Sequence, residues 1–404
     1  MKILVLGSDG YIGYPLVLHL LKRGNEVMGV DDYSRRRRVN EIGSKSLIPI
    51  EPAIVRKSYL SKNYPNYFSE VGCSLGNDSA GFIKSILHSF RPDTIVHLAE
   101  QPSAPWSMKN AEFAKQTQLS NVLGTLDLLW AIREVCPRAH LIKLGSMGEY
   151  GTPECDIPEG TIPEGCIGSH ESSKIDGYIK TNQGFVVNCP MAGLPFPRSP
   201  NSFYHLSKVH DTHNIIFASK TWDLTCTDIM QGVVFGVNRT NNEMELTRFD
   251  YDECFGTVIN RFCVQAMTGQ SLTVYGEGNQ TRGFLSLNDS IECLSLAIDN
   301  PPERGDYRTF NQFGHIISIH DLARMIVEEA EHHNMFPAII SMLNPRTELD
   351  GHYYNPRNLK LNDLGYIPSS LRSGIAELLA SLRGYIHEVN KDVMLPTIAW
   401  GKFV

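Results

Sequence analysis

Residues Gly7-Ser8-Asp9-Gly10-Tyr11-Ile12-Gly13 limit what this chain can fold into more sharply than any other stretch. They follow an apolar run, Lys2–Leu6, of the kind buried on both faces of a parallel sheet. They also open a stretch, 11–23, whose apolar spacing is helical and which stops at Gly24. At such a strand–turn–helix junction the first glycine permits the tight turn. The second lets backbone approach a pyrophosphate, and the third lets helix pack closely on strand. The free N–H groups and positive dipole of the helix N-terminus then favour the anion. The spacing is Gly-x-x-Gly-x-x-Gly, and its place between strand and helix points to dinucleotide binding. A second strand over 26–30 closes on Asp31 and Asp32, where a carboxylate can bond the adenosine ribose hydroxyls. A carboxylate there disfavours a 2′-phosphate and predicts NAD. The arginine run 35–38, including Arg36, leaves three uses open: a 2′-phosphate, substrate phosphates or a solvated turn.

Further strands are expected at 94–98, 140–144 and 225–230 with helices between them, which makes the fold class α/β with a doubly wound parallel sheet. Residues 1–231 form the dinucleotide-binding domain in this reading. It is interrupted at 153–200 by a Gly-, Pro- and Ser-rich excursion that reads as a cover or as a surface loop. Residues 232–404 form mainly a smaller substrate lobe, with helices such as Ile319–Glu331 and Leu371–Leu382, and the chain is free to cross back into the first domain. The formal net charge of -7 argues against non-specific binding to nucleic acid or a membrane surface. No apolar run approaches the ~20 residues that span a bilayer. The opening residues lack the apolar region and cleavage site of a signal peptide. The nine cysteines are scattered, with neither disulfide nor zinc spacing, so they read as reduced thiols with no metal site, in a cytoplasmic protein.

Tyr204-His205-Leu206-Ser207-Lys208 places a phenol and an ammonium on one helix face. The ammonium can stabilise tyrosinate, so that Tyr204 takes a hydroxyl proton while hydride leaves for the dinucleotide. Ser146, at the end of an expected strand, can hydrogen-bond the reacting oxygen. A Tyr-x-x-x-Lys pair alone is weak; downstream of the glycine loop and with Ser146 it is specific.

The glycine loop, His97-Leu98-Ala99, Asn121-Val122-Leu123-Gly124-Thr125, Ser146, Tyr204 and Lys208 together resemble the extended short-chain dehydrogenase/reductases, which include the sugar-nucleotide epimerases and dehydratases. That resemblance implies a Rossmann domain holding NAD through Gly7, Asp9, Gly10, Tyr11, Ile12, Gly13, Asp31, Asp32, Arg36, Leu98, Ala99, Asn121, Tyr204, Lys208, Gln231 and Val234. His97 is then a packing or anchoring residue. Leu272-Thr273-Val274-Tyr275-Gly276 and Gln280-Thr281-Arg282-Gly283-Phe284 are similar to that family's nucleotide-diphosphate segment. An arginine fork suits a pyrophosphate and an apolar strand can cradle uracil. The implied substrate contacts are Gln101, Ser103, Ser146, Gln231, Thr257, Asn260, Arg261, Thr273, Val274, Tyr275, Gln280, Arg282 and Tyr353. A homodimer is the family's common state.

Within that family the chain most resembles the UDP-sulfoquinovose synthases. The segments that carry this are Glu100-Gln101-Pro102-Ser103-Ala104-Pro105, Gly145-Ser146-Met147-Gly148-Glu149-Tyr150-Gly151, Ser202-Phe203-Tyr204-His205-Leu206-Ser207-Lys208-Val209-His210-Asp211, Gln231-Gly232-Val233-Val234, Phe255-Gly256-Thr257-Val258-Ile259-Asn260-Arg261-Phe262, Asn344-Pro345-Arg346 and His352-Tyr353-Tyr354-Asn355. The resemblance implies UDP-glucose and sulfite as substrates. Glu149 is expected as a base or acid near C5 and C6, and His205 and His210 as polar neighbours or the acid for the leaving hydroxyl. The chain departs from those synthases in carrying Ser146 for Thr, in lacking an Asp at Val71-Gly72-Cys73-Ser74, and in its longer 153–200 segment. A UDP-hexose 4-epimerase or 4,6-dehydratase shares most of these features, and a non-catalytic dinucleotide sensor shares the loop alone.

Overall fold

The computed structural model describes residues 1–72, 74–76, 79–162, 194–345 and 352–398; Cys73, Arg346 and the greater part of the excursion, 163–193, lie outside them. Twelve strands are described: β1 (Lys2–Leu6), β2 (Glu26–Asp31), β3 (Tyr67–Val71), β4 (Thr94–His97), β5 (His140–Ser146), β6 (Cys226–Gln231), β7 (Val233–Phe235), β8 (Leu272–Tyr275), β9 (Thr281–Ser286), β10 (Tyr307–Gln312), β11 (His315–Ser318) and β12 (Ile339–Met342). Seven of them make one sheet in the order β10-β6-β5-β4-β1-β2-β3, every neighbouring pair parallel. Helices cover both faces, and separate apolar cores fill the two sides. This is the doubly wound Rossmann sheet that the sequence predicts. Its strand order reverses between β1 and β4, and ligands of such sheets bind at the carboxyl ends beside that point.

β10 comes from the last third of the chain and pairs with β6 in register, Gln312 beside Gln231, so the chain returns to the first sheet after building the second lobe. That lobe carries two small sheets, β11-β9-β7 and β12-β8, and its own core around Phe262, Phe284, Ile326 and Leu379.

Local chemistry sets the elements that carry the site. The helix Gly13–Lys22 ends where Gly24 takes φ +81°, a left-handed conformation that costs glycine little. The long helix Phe203–Trp222 starts at Ser202, whose hydroxyl accepts the His205 N–H, so Tyr204 lies in its first turn. The feet of the excursion are hydrogen-bonded to each other. Ile162 N–H donates to Leu194 O and Phe196 N–H to Gly160 O, each at 2.9 Å, and Ile157 bridges to Pro356.

Candidate active site

A cleft of about 450 Å³ runs over the carboxyl ends of the central strands, from the glycine loop to Ser146, Tyr204 and Arg282. At the loop end the walls are backbone. Gly7 N–H donates to Val30 O at 2.8 Å. A Cβ on Gly7 would stand 2.8 Å from the Leu98 carbonyl, and one on Gly13 would stand 2.0 Å from Gly7 O. Gly7, Gly10, Tyr11, Ile12 and Gly13 line the cleft, as do Leu98, Ala99, Gln231 and Val234.

Asp31 and Asp32 also line it, and they differ. Asp31 accepts the N–H groups of Asp9 (2.8 Å) and Tyr33 (2.7 Å); burial, with Asp9 adding to it, pushes its carboxyl up to about 6. Asp32 accepts from Ser34 N–H (2.8 Å) and Ser74 Oγ (2.7 Å). Burial opposes its ionisation, but those bonds and Arg37 outweigh it and hold the carboxyl below its ordinary value. Asp31 and Asp32 both place a carboxyl at the ribose corner. Together with the glycine loop these carboxyls fit the adenosine and pyrophosphate of a dinucleotide.

Three expected cofactor contacts are corrected. Asp9 and Arg36 do not line the cleft; they pair with each other in two hydrogen bonds of 2.6 and 2.9 Å, and buried Arg56 adds a third to Asp9. Asn121 is fully buried, bonding Gln101 N and O and Ser207 Oγ, and braces the wall from behind. Arg35 and Arg38 line the cleft in place of Arg36. Arg35 donates to Asp250 (2.7 Å) and lies 3.9 Å from the Phe255 ring centre, joining the ribose corner to the second lobe.

At the reacting end Ser146, Tyr204 and Lys208 converge on the cleft from β5 and the helix Phe203–Trp222. Lys208 donates to Leu144 O at 2.6 Å and pairs with the carboxylate of Glu100. Burial raises the Tyr204 phenol above its ordinary value, against the pull of Lys208. Glu149 is corrected: it is fully buried and off the cleft wall. Its carboxylate accepts Ser146 N–H and Thr212 Oγ1, both at 3.0 Å, and stands 3.7 Å from Lys143. It caps the turn Met147–Glu149 and holds Ser146 from behind, so it does not reach a sugar. His205 does line the cleft, its ring packed where a Cβ on Gly148 would stand 2.3 Å from Nε2, while His210 is exposed on the helix's outer side.

Of the expected substrate contacts, Ser103, Gln231, Thr257 and Arg282 line the cleft with Ser146. Thr257 stands at the start of the helix Val258–Met267, and its buried hydroxyl has no hydrogen-bond partner among the described residues. Gln101, Asn260, Arg261, Thr273, Val274, Tyr275 and Gln280 lie behind the wall. Gln101 donates to Ser103 O and Thr117 Oγ1, Asn260 accepts Gly236 N–H, and Gln280 bonds Tyr275 O, so these are supports. Tyr353 is exposed and donates to Asp156, whereas its neighbour Tyr354 faces the cleft. Sequence reasoning also missed the wall residues Glu253 and Cys254, which stand just before the quoted segment that opens at Phe255. It missed as well the buried ions Lys143, Asp211 and Asp228, which look like ordinary strand and helix positions. Among the described residues no cluster of His, Cys, Asp or Glu is placed to hold a metal ion, and no helix is long and apolar enough to cross a membrane.

Residues 3–174 match the NAD dependent epimerase/dehydratase family. Over the whole chain the sequence is 41% identical to a UDP-sulfoquinovose synthase of Sulfolobus acidocaldarius, covering 98% of that protein. It is 40% identical, over 99% of its length, to the chloroplastic UDP-sulfoquinovose synthase of Spinacia oleracea, covering 79% of that one. Among solved structures, UDP-glucuronic acid 4-epimerase of Bacillus cereus, in complex with UDP-glucuronic acid and NAD, superposes with a TM-score of 0.65 at 19% identity. That match covers 96% of this chain and 99% of the epimerase, and it shows the shared fold.

Proposed function

The chain belongs to the UDP-sulfoquinovose synthases, within the NAD-dependent epimerase/dehydratase family, and from that premise we propose that it converts UDP-glucose and sulfite into UDP-sulfoquinovose through a 4-keto-5,6-ene sugar. The observation that carries this is the meeting of Ser146, Tyr204 and Lys208 across one cleft from the glycine loop. NAD, when bound, accepts hydride from C4 of the sugar and returns it at the end of the cycle.

The chain's own residues do the rest. Backbone at Gly7, Gly10 and Gly13 closes on the pyrophosphate and Asp31 and Asp32 take the ribose hydroxyls. Thr257 and Arg282 hold the nucleotide diphosphate of the substrate. Tyr204 receives the proton of the C4 hydroxyl, and Ser146 Oγ hydrogen-bonds the same oxygen. Once C4 is a ketone, the C5 proton is acidic because its loss gives an enolate. His205, the titratable side chain beside Tyr204 on the wall, takes over the part expected of Glu149: it removes the C5 proton and delivers a proton to the departing C6 hydroxyl, which leaves as water. Sulfite forms the C6–S bond at the conjugated double bond, and C5 regains a proton. Hydride then returns to C4 while Tyr204 gives its proton back to O4.

The test is incubation with UDP-glucose, with and without sulfite, followed by mass spectrometry of the nucleotide sugars. A sulfonated UDP-sugar formed only with sulfite is the expected result. UDP-galactose or a 4-keto-6-deoxy sugar formed regardless of sulfite would replace this reading by an epimerase or a dehydratase.

The protein acts in this reading as a homodimer in the cytoplasm. Phe217, 61% exposed, and Trp130, 44% exposed, stand on the outer faces of neighbouring helices with Leu119 and Leu123, an apolar surface suited to a second copy. The buried thiols Cys226, Cys263 and Cys293 suit a reducing compartment. Light scattering of a Phe217→Glu variant should show monomers where the parent shows dimers.

A further inference from the structure

At and behind the reacting end, where Glu100 lines the cleft with Tyr204 and Lys208, lies a cluster of charges with almost no exposure to water. From the end of β4 come His97 and Glu100, their side chains 3.5 Å apart and 0% and 3% exposed. β5 supplies Lys143 and the turn after it Glu149. The helix Phe203–Trp222 supplies Tyr204, Lys208 and Asp211, and β6 supplies Asp228, 3.6 Å from Lys143. Lys143 is neutralised by Glu149 and Asp228. Burial first, and then Glu100, pushes the Asp211 carboxyl well up. Burial also opposes ionisation of Glu100, but the charges of Lys208 and Lys143 act against it and that carboxyl is held below its ordinary value. The charge facing Lys208 is therefore that of Glu100.

An ammonium beside a phenol ordinarily helps the phenol lose its proton. Here the ammonium is already paired, and the same carboxylate acts on Tyr204 in the opposite sense. The proposed reaction gives this a purpose. Three steps at C5 and C6 separate the arrival of the C4 proton on Tyr204 from its return, and throughout them a neutral phenol must donate to the ketone oxygen.

We propose that Glu100 is a positioning residue that clamps the Lys208 ammonium against the Leu144 carbonyl and cancels part of its charge, so that Tyr204 keeps the sugar proton until hydride returns. This rests on the reading of Tyr204 as the proton acceptor, and it adds a residue that the Tyr-x-x-x-Lys pattern does not contain.

The pH profile tests it. In Glu100→Gln the unpaired ammonium makes the phenol more acidic, and the alkaline limb of sulfite-dependent turnover should move down by about one pH unit, roughly tenfold in the ionisation constant. Glu100→Asp, which keeps the charge, should leave the limb in place. A limb that stays put or moves up in Glu100→Gln overturns the proposal, because a merely structural role lowers the rate without moving it. Should Glu100→Gln not fold, the parent decides: the difference in tyrosinate absorbance between it and Tyr204→Phe should show Tyr204 un-ionised up to about pH 10, and ionisation near neutrality overturns the proposal. Cofactor reduction by UDP-glucose separates this from failure of the underlying reading. If Tyr204→Phe still reduces the cofactor at the parental rate, the proton acceptor has been misassigned. If it does not, and the limb fails to move, only the role of Glu100 falls.

Discussion

Where Gly7, Gly10 and Gly13 form one end of the cleft, the wall is main chain with no room for a methyl group. Where Tyr204, Ser146 and Glu100 form the other, the wall is a thin layer of side chains backed by Lys143, Glu149, Asp211 and Asp228. The first end selects its ligand by shape, so it should be intolerant of added volume. The second sets proton affinities, so it should be intolerant of altered charge.

The largest effect is expected at the glycine end. Gly13→Ala forces a Cβ to within 2.0 Å of Gly7 O, which the loop can relieve only by opening. Strain above about 3 kcal/mol should abolish retained NAD and with it turnover, read as nucleotide released on denaturation. An alanine variant that keeps its cofactor would break the comparison. Tyr204→Phe comes next: turnover should fall by roughly 10²–10⁴ while cofactor content and thermal unfolding stay parental. Near-normal turnover would remove Tyr204 from the chemistry.

A third substitution probes the backing layer. Lys143→Met leaves Glu149 and Asp228 buried without their cation and should cost about 3–5 kcal/mol in denaturant unfolding. A cost near zero would mean that the cluster is already neutral. The smallest effect concerns pH. Burial lowers the imidazole of His97 to about 4, so the folded protein holds it neutral where an unfolded chain binds a proton. Stability from this source is complete above about pH 6.5 and is lost as pH falls towards 4, by about 3 kcal/mol in all. His97→Gln should flatten that part of the stability curve, and an unchanged curve would assign the acid sensitivity elsewhere.

The glycine loop, its flanking strands and the Ser146–Tyr204–Lys208 set were legible because each is a local pattern: an apolar run, a turn, a helical repeat. The misplacements share one physical cause. Asp9, Gln101 and Glu149 each follow the end of a strand and Asn121 lies in the helical stretch Leu119–Leu123, places where a polar side chain can face the cleft or fold back behind the wall, and spacing along the chain does not distinguish the two. Lys143 and Asp228 show the same limit. Each is a charge within a parallel strand, and only the pairing of β5 with β6 sets them directly opposite one another. The return of β10 to the first sheet is a contact between residues some 80 positions apart, with no local signal. Asp31 and Asp32, between which the sequence left a choice, each accept two hydrogen bonds and both line the cleft.

The paired feet of the excursion make it a detachable cassette. Gly160 with Phe196 and Ile162 with Leu194 already form the closed base of a hairpin, so the ends of whatever joins them are held together by the body of the protein. Closing a loop on a preformed base adds little entropy for each further residue. The number of residues joining Ile162 to Leu194 is therefore only weakly tied to the stability of the sheet that holds those feet.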